Sequence, residues 1–180
     1  MRRLRFKALL FTCVSFVIPL APASDTLSMR EQFVKTEKLV WKSSSPEFKA
    51  AYEKLEGYVL KPYIEQKRLL NNIRLSSTGD IRTFLATYER TPLDTPLRHR
   101  WLSYLAKRKK SSLFIEFYKP TSDAKLTCQY YRYQLAEGES ADEILPQVTR
   151  LWLVGKSQPK VCDPLFARWQ KAGYRTPEIV

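Results

Sequence analysis

Apolar residues recur along this chain at helical spacing. Phe48, Tyr52 and Leu55 lie at i, i+4, i+7, and Ile81, Phe84, Leu85 and Tyr88 at i, i+3, i+4, i+7. Leu97, Trp101, Tyr104 and Leu105 follow at i, i+4, i+7, i+8, and Cys128, Tyr131 and Leu135 at i, i+3, i+7. The last stripe puts Cys128 on an inward face. Strict alternation of the kind a strand needs does not compete over any useful length.

Local punctuation divides these stripes. Ser45-Pro46 opens a helix that Gly57 ends, and a short helix spans residues 62–72. Gly79-Asp80 precedes the next, which stops at Thr91-Pro92; Thr95-Pro96 opens another. Ser111 or Ser112 caps a short helix ending near Tyr118-Lys119-Pro120. Ser122 or Asp123 caps the Cys128 helix, which ends near Gly138. Ser140 and Glu143 have the spacing of a capping box, and Pro146 then either kinks that helix or marks a fresh first turn.

The run 151–173 is the densest. Gly155 closes the helix carrying Leu151, Trp152, Leu153 and Val154; Lys156-Ser157-Gln158-Pro159 is loop; Asp163-Pro164 starts a helix, the carboxylate accepting from free N–H groups. Leu165, Phe166, Trp169 and Ala172 share one face, and Gly173 closes it. Helices of roughly 10–16 residues joined by short turns pack as antiparallel pairs. No fixed repeat period is present. The expected fold is therefore all-α, an irregular, solenoid-like α-superhelix of short antiparallel helix pairs. Thr176-Pro177-Glu178 then announces a further helix two residues before Val180, which reads as an interrupted solenoid.

Composition adds an address. Arg2, Arg3, Arg5 and Lys7 precede an apolar stretch over residues 8–20, and Ala21-Pro22-Ala23 is a small-residue cleavage site. Residues 1–23 read as a signal peptide cut between Ala23 and Ser24, with 24–180 as the mature part. The apolar stretch is too short for an ordinary membrane span. A lipoprotein would need Cys13 as acceptor, and Leu10-Phe11-Thr12 before it is bulky for such a site.

The formal charge is +13; less the four leader cations it is +9. That charge suits a polyanion. Export argues against nucleic acid and towards cell-envelope carboxylates, while plain solubility explains the same charge. Cleavage leaves two cysteines, Cys128 and Cys162, and an exported chain with two cysteines favours a disulfide. Zinc or thiol catalysis lacks support, because His99 is the only histidine.

Several pieces resemble the N-terminal superhelical domain of the soluble lytic murein transglycosylases. They are L-W-L-x-G-K-S-Q-P-x-x-C-D-x-L-F-x-x-W over 151–169, and C-x-Y-Y over 128–131. Leu60-Lys61-Pro62-Tyr63-Ile64-Glu65 and Leu97-Arg98-x-x-Trp101-Leu102 are weaker matches. The resemblance implies a periplasmic enzyme that cleaves peptidoglycan glycan strands and leaves a 1,6-anhydro-muramic end. In that family a C-terminal lysozyme-like domain supplies one catalytic glutamate, in an E-S-x-x-x-P…G-L-M-Q setting. These 180 residues contain neither half; Glu139-Ser140 is the only Glu-Ser pair, in a turn between helices.

No catalytic residue, metal ligand or cofactor is therefore assigned. Lys107, Arg108, Lys109 and Lys110 are the candidate contact to an anionic ligand, peptidoglycan being the expected partner; the plainer reading is favourable charge at a helix C-terminus. Tyr130, Tyr131 and Tyr133 admit sugar stacking, but their helical spacing favours packing. Glu137, Glu139, Asp142 and Glu143 gather at a helix start, where capping accounts for them. Two functions stay open: a scaffold part of a lytic transglycosylase, and a stand-alone periplasmic adaptor. An interrupted gene is a third, weaker reading.

Overall fold

The computed structural model describes residues 23–177. The charged start of the leader, Cys13 and Glu178 lie outside that range. Among the described residues the chain is all-α, with nine α-helices and no strand. They are α1 (Ala23–Leu39), α2 (Pro46–Glu53), α3 (Lys61–Asn71), α4 (Thr78–Thr87), α5 (Asp94–Lys107), α6 (Ser111–Phe117), α7 (Ala124–Ala136), α8 (Ala141–Trp152) and α9 (Asp163–Lys171). Single 3-10 turns precede α4 and α9 and follow α1.

Most helices pack on near neighbours in sequence, while α3 also meets α1 and α5, and α7 also meets the turn before α9; the buried side chains fall into three successive clusters. Val40, Phe48, Leu55 and Ile64 make the first, with Met29 and Phe33 of α1 against it. The second lies between Leu69 and Leu126, centred on Trp101, which is wholly buried. Trp101 stacks on Tyr104 at 5.5 Å and meets the Phe117 ring edge-on at 5.8 Å. Cys128, Leu145, Val148, Cys162, Leu165, Phe166 and Trp169 form the third. The buried Thr36 donates to the carbonyls of Gln32 (2.8 Å) and Ala51 (3.2 Å), joining α1 to α2, whereas the buried Trp101 Nε1 has no partner among the described residues.

Some punctuation works as the sequence suggests. Ser45 Oγ accepts from the Phe48 N–H at 3.1 Å, with Pro46 in the first turn of α2. Asp123 Oδ1 accepts from the N–H groups of Lys125 (2.8 Å) and Leu126 (3.2 Å) at the start of α7. At the end of α9 the Tyr174 N–H reaches back to the Trp169 carbonyl and the Gly173 N–H to Gln170, a Schellman closure with Gly173 at φ +85°.

Other signals are displaced. α2 ends at Glu53, α4 at Thr87 and α8 at Trp152, so Gly57, Thr91-Pro92 and Gly155 lie in the connections beyond the helix ends. Gly79 and Asp80 sit inside the first turn of α4. Neither Ser140 nor Asp163 caps through its side chain; each stands where its helix begins without making that bond. Ser111 is the first residue of α6, and its hydroxyl donates to Glu137 instead.

Pro146 neither breaks α8 nor starts it afresh. It lies on the exposed face, opposite Ile144, Leu145 and Val148, so the carbonyl that loses its donor faces solvent rather than the core. The helix α1 has no counterpart among the expected elements. Its inward positions, Met29, Phe33 and Leu39, are too sparse to make a stripe.

The closure of α5 is unusual in its residue. The Lys110 N–H bonds the Leu105 carbonyl and the Lys109 N–H bonds Ala106, the same Schellman pattern, but Lys109 occupies the left-handed position at φ +54°. A side chain there costs roughly 1–2 kcal/mol that glycine avoids. Lys109→Gly is expected to stabilise the fold by about 1 kcal/mol, raising the melting temperature by about 2–4 °C. Thermal melts followed by circular dichroism check this; an unchanged or lower midpoint would mean that Lys109 is not strained.

Candidate functional site: the disulfide brace and its flanking surfaces

Cys128 and Cys162 are joined, with Cα atoms 5.1 Å apart, and both are fully buried. Cys128 sits in the first half of α7. Cys162 ends the 3-10 turn that leads into α9. The bond encloses the whole of α8, which packs on α7 and α9. Arg132 adds a second tie, its Nη1 donating to the Val161 carbonyl at 3.2 Å. Trp169 Nε1 donates to Thr149 Oγ1 at 3.0 Å, and Trp152 lies 5.4 Å from the Trp169 ring. The segment 151–173 thus closes the third cluster. Leu153 and Val154 depart from expectation, since α8 has ended and both are exposed.

The tyrosines are packing residues. Tyr130 stacks on Tyr118 at 3.9 Å, and Tyr133 meets Phe114 edge-on while donating to the Ala106 carbonyl. Tyr131 donates to Gln147 Oε1 at 3.1 Å. Burial raises the phenol pKa of Tyr131 and Tyr133. Glu137, Glu139, Asp142 and Glu143 are all exposed around the turn from α7 to α8.

Lys107, Arg108, Lys109 and Lys110 are all exposed at the C-terminal end of α5. None has an ion-pair partner among the described residues. Arg108 lies over the Tyr104 ring, 5.4 Å from its centroid. Four cations at the negative end of a helix dipole are stable there with no ligand at all. They are about as far as a surface can be from the disulfide in role: one element is buried and covalent, the other solvated and unpaired.

Ionic groups on either side of the α6–α7 connection escaped the sequence reading. Arg98 binds Asp94 through two bonds of 2.6 and 2.9 Å and donates to the Phe117 carbonyl, joining the start of α5 to the end of α6. The pair was present as an i, i+4 spacing in the sequence. His99 Nε2 lies 2.8 Å from Asp123 Oδ2. Burial pushes the Asp123 carboxyl up, but the bonds from His99 and from the Leu126 and Lys125 N–H groups outweigh it, and its pKa falls below the ordinary value. No helix among the described residues is long and apolar enough to cross a membrane.

The fold and its braced end define a segment of an all-α superhelix, and comparison with known proteins says of which kind. No family model matches the chain. Over 126 residues it is 31% identical to the soluble lytic murein transglycosylase of Escherichia coli strain K12, and 29% identical to that of Salmonella typhimurium strain LT2. Both alignments cover 68% of this chain and 19% of the relative.

Among solved structures, the 70-kDa soluble lytic transglycosylase of Escherichia coli superposes with a TM-score of 0.70 at 24% identity, covering 84% of this chain and 25% of that one. An inactive mutant of the lytic transglycosylase Slt from Pseudomonas aeruginosa gives a TM-score of 0.68 at 34% identity, covering 82% and 24%. The chain is homologous to a helical part of the soluble lytic murein transglycosylases, and it spans about a fifth to a quarter of their length.

Two tests follow from the site. A 34-residue separation corresponds to about 3–4 kcal/mol in the chain-entropy account of cross-links. The double variant Cys128→Ala/Cys162→Ala is expected to lose stability of that order in urea titrations, and reductant should do the same to the parent chain. A loss below about 0.5 kcal/mol would show the bond to be incidental.

Asp123, with its lowered pKa, contributes stability that is present above its unfolded value and is lost as pH falls through its folded one. Asp123→Asn keeps a capping side chain. It should flatten the drop in melting temperature below about pH 4. An acid limb identical to the parent's would exclude Asp123 as a contributor.

Proposed function

We propose that this chain is the N-terminal part of the superhelical scaffold of an exported peptidoglycan lytic transglycosylase. The observation that carries the reading is the 31% identity to the Escherichia coli enzyme over 126 residues. Residues 1–23 serve as the signal peptide, with cleavage between Ala23 and Ser24. Residues 24–180 form the scaffold part and work in the periplasm, where oxidation of Cys128 and Cys162 is favoured.

In this reading the chain holds and presents the glycan and leaves cleavage to a catalytic glutamate module, whose motif these 180 residues do not contain. The unpaired cations Lys107, Arg108, Lys109 and Lys110 supply a sequence-tolerant contact to the carboxylates of peptidoglycan stem peptides. Exposed charges of this kind act mainly through the summed field, and their effect weakens with salt.

Purified chain mixed with isolated sacculi is expected to co-sediment at low salt and to release no anhydro-muropeptides. Release of such products would refute its inertness. Reversing all four charges to glutamate should reduce co-sedimentation severalfold; retention equal to the parent's would remove the basic run from the binding surface.

A further inference from the structure

The outward face of α1 and of the 3-10 turn that follows it mixes cations with apolar groups. Its inward positions are Met29, Phe33, Thr36 and Val40, which pack on the first cluster or bond across to α2. On the other side Arg30, Val34, Lys35, Lys38, Trp41 and Lys42 are all exposed. Helical spacing puts the first four on one flank. Val34 is 42% exposed and Trp41 69%. None of the four cations has an ion-pair partner among the described residues. Among those residues Glu31 is the one free carboxylate on this face, since Glu37 is taken by Lys67 at 2.9 Å.

Trp41 is held outward by its neighbours. Val40 is buried in the first cluster, and Asn72 Nδ2 donates to Ser43 Oγ at 3.1 Å, which ties the end of the turn to the end of α3. Lys42 Nζ lies 4.5 Å from the centre of the Trp41 ring. An indole and an ammonium thus stand together on an anchored turn, with most of the tryptophan in water.

A solvated face, or a contact to soluble polyanions, needs the cations and has no use for an indole and a valine among them. An anionic bilayer uses both. Its surface potential draws lysine and arginine, and tryptophan settles at the boundary between headgroups and acyl chains. No helix among the described residues is long and apolar enough to cross a membrane, so a contact of this kind is peripheral.

We propose that this face docks the chain reversibly on an anionic lipid bilayer. Trp41 enters the headgroup boundary with Val34 beside it, and Arg30, Lys35, Lys38 and Lys42 lie over the lipid phosphates. Which membrane it meets rests on the export proposed above: an exported chain meets the periplasmic leaflet. The residues are separate from the 107–110 run, so each surface can be altered alone.

The probe is vesicles of phosphatidylcholine, with and without phosphatidylglycerol, sedimented with the chain from Ser24 onward. That form keeps all three clusters and leaves the apolar stretch 8–20 out of the assay. Binding is expected on the phosphatidylglycerol vesicles, with a blue shift in tryptophan emission. The shift reports Trp41, because Trp101 and Trp169 are buried and Trp152 is half-buried. Each lysine near an anionic bilayer strengthens binding about fivefold, so Lys35→Glu/Lys38→Glu should weaken it by at least about 25-fold. Trp41→Ser should weaken it severalfold and remove the blue shift. Lys160→Glu/Lys171→Glu changes the net charge equally on exposed residues of the third cluster's segment, and should bind within about twofold of the parent.

No binding, equal binding to both kinds of vesicle, or an equal loss in Lys160→Glu/Lys171→Glu would overturn the proposal. Trp41→Ser binding like the parent also overturns it and marks a surface for soluble polyanions instead. The outcomes separate from those of the scaffold reading, since lipid-free sacculi offer no bilayer. Vesicle binding without sacculus binding supports the docking face and rejects the peptidoglycan contact; the reverse rejects the docking face alone.

Discussion

The bond between Cys128 and Cys162 is the constraint on which the last third of the molecule depends. The third cluster is small, and its helices α8 and α9 reach the rest of the chain mainly through α7. Small cores are marginal because too little apolar surface leaves water to offset the entropy of ordering the chain. A cross-link from α7 to the start of α9 removes part of that entropy from the unfolded state, and it does so around the helix with the strongest division between apolar and polar faces. Arg132 and the Trp169–Thr149 bond then add direction to a contact that the disulfide has already made local.

The stripes that announce helices were readable because each buried face is built from large residues at regular spacing. Phe84, Leu97, Trp101 and Leu165 occupy the core positions their periodicity implies. Caps were readable only in part. Ser45 and Asp123 are followed by free N–H groups within reach and make their bonds, whereas Ser140 and Asp163 have the right identity in a backbone that does not aim them. The helix α1 was missed for want of apolar density, and Lys109 hid a left-handed closure because nothing in a lysine announces one.

The functional surfaces divide along the same line. A basic run is contiguous in sequence and so is seen at once, but it stands exposed and unpaired, as a favourable helix end would. A cleft lined by residues from Glu89 to Leu126 draws on several separate segments. Only the meeting of two connections assembles it, so no single stretch of sequence announces it. The aromatic residues illustrate the opposite outcome. Tyr130, Tyr131 and Tyr133 look like a binding platform in sequence, yet Tyr130 stacks on Tyr118, Tyr133 is taken up by Phe114 and the Ala106 carbonyl, and Tyr131 donates to Gln147.

Because most helices pack on elements near them in the chain, many contacts form without waiting for a distant part of it. Such a topology has little loop-closure entropy to overcome before contacts begin to form, which places it with rapidly folding, locally connected proteins. The first cluster is complete by Ile64 and the second by Leu126. Order of assembly can therefore follow order of emergence: a chain threaded end-first through a narrow passage can lay down each layer on the finished one before it.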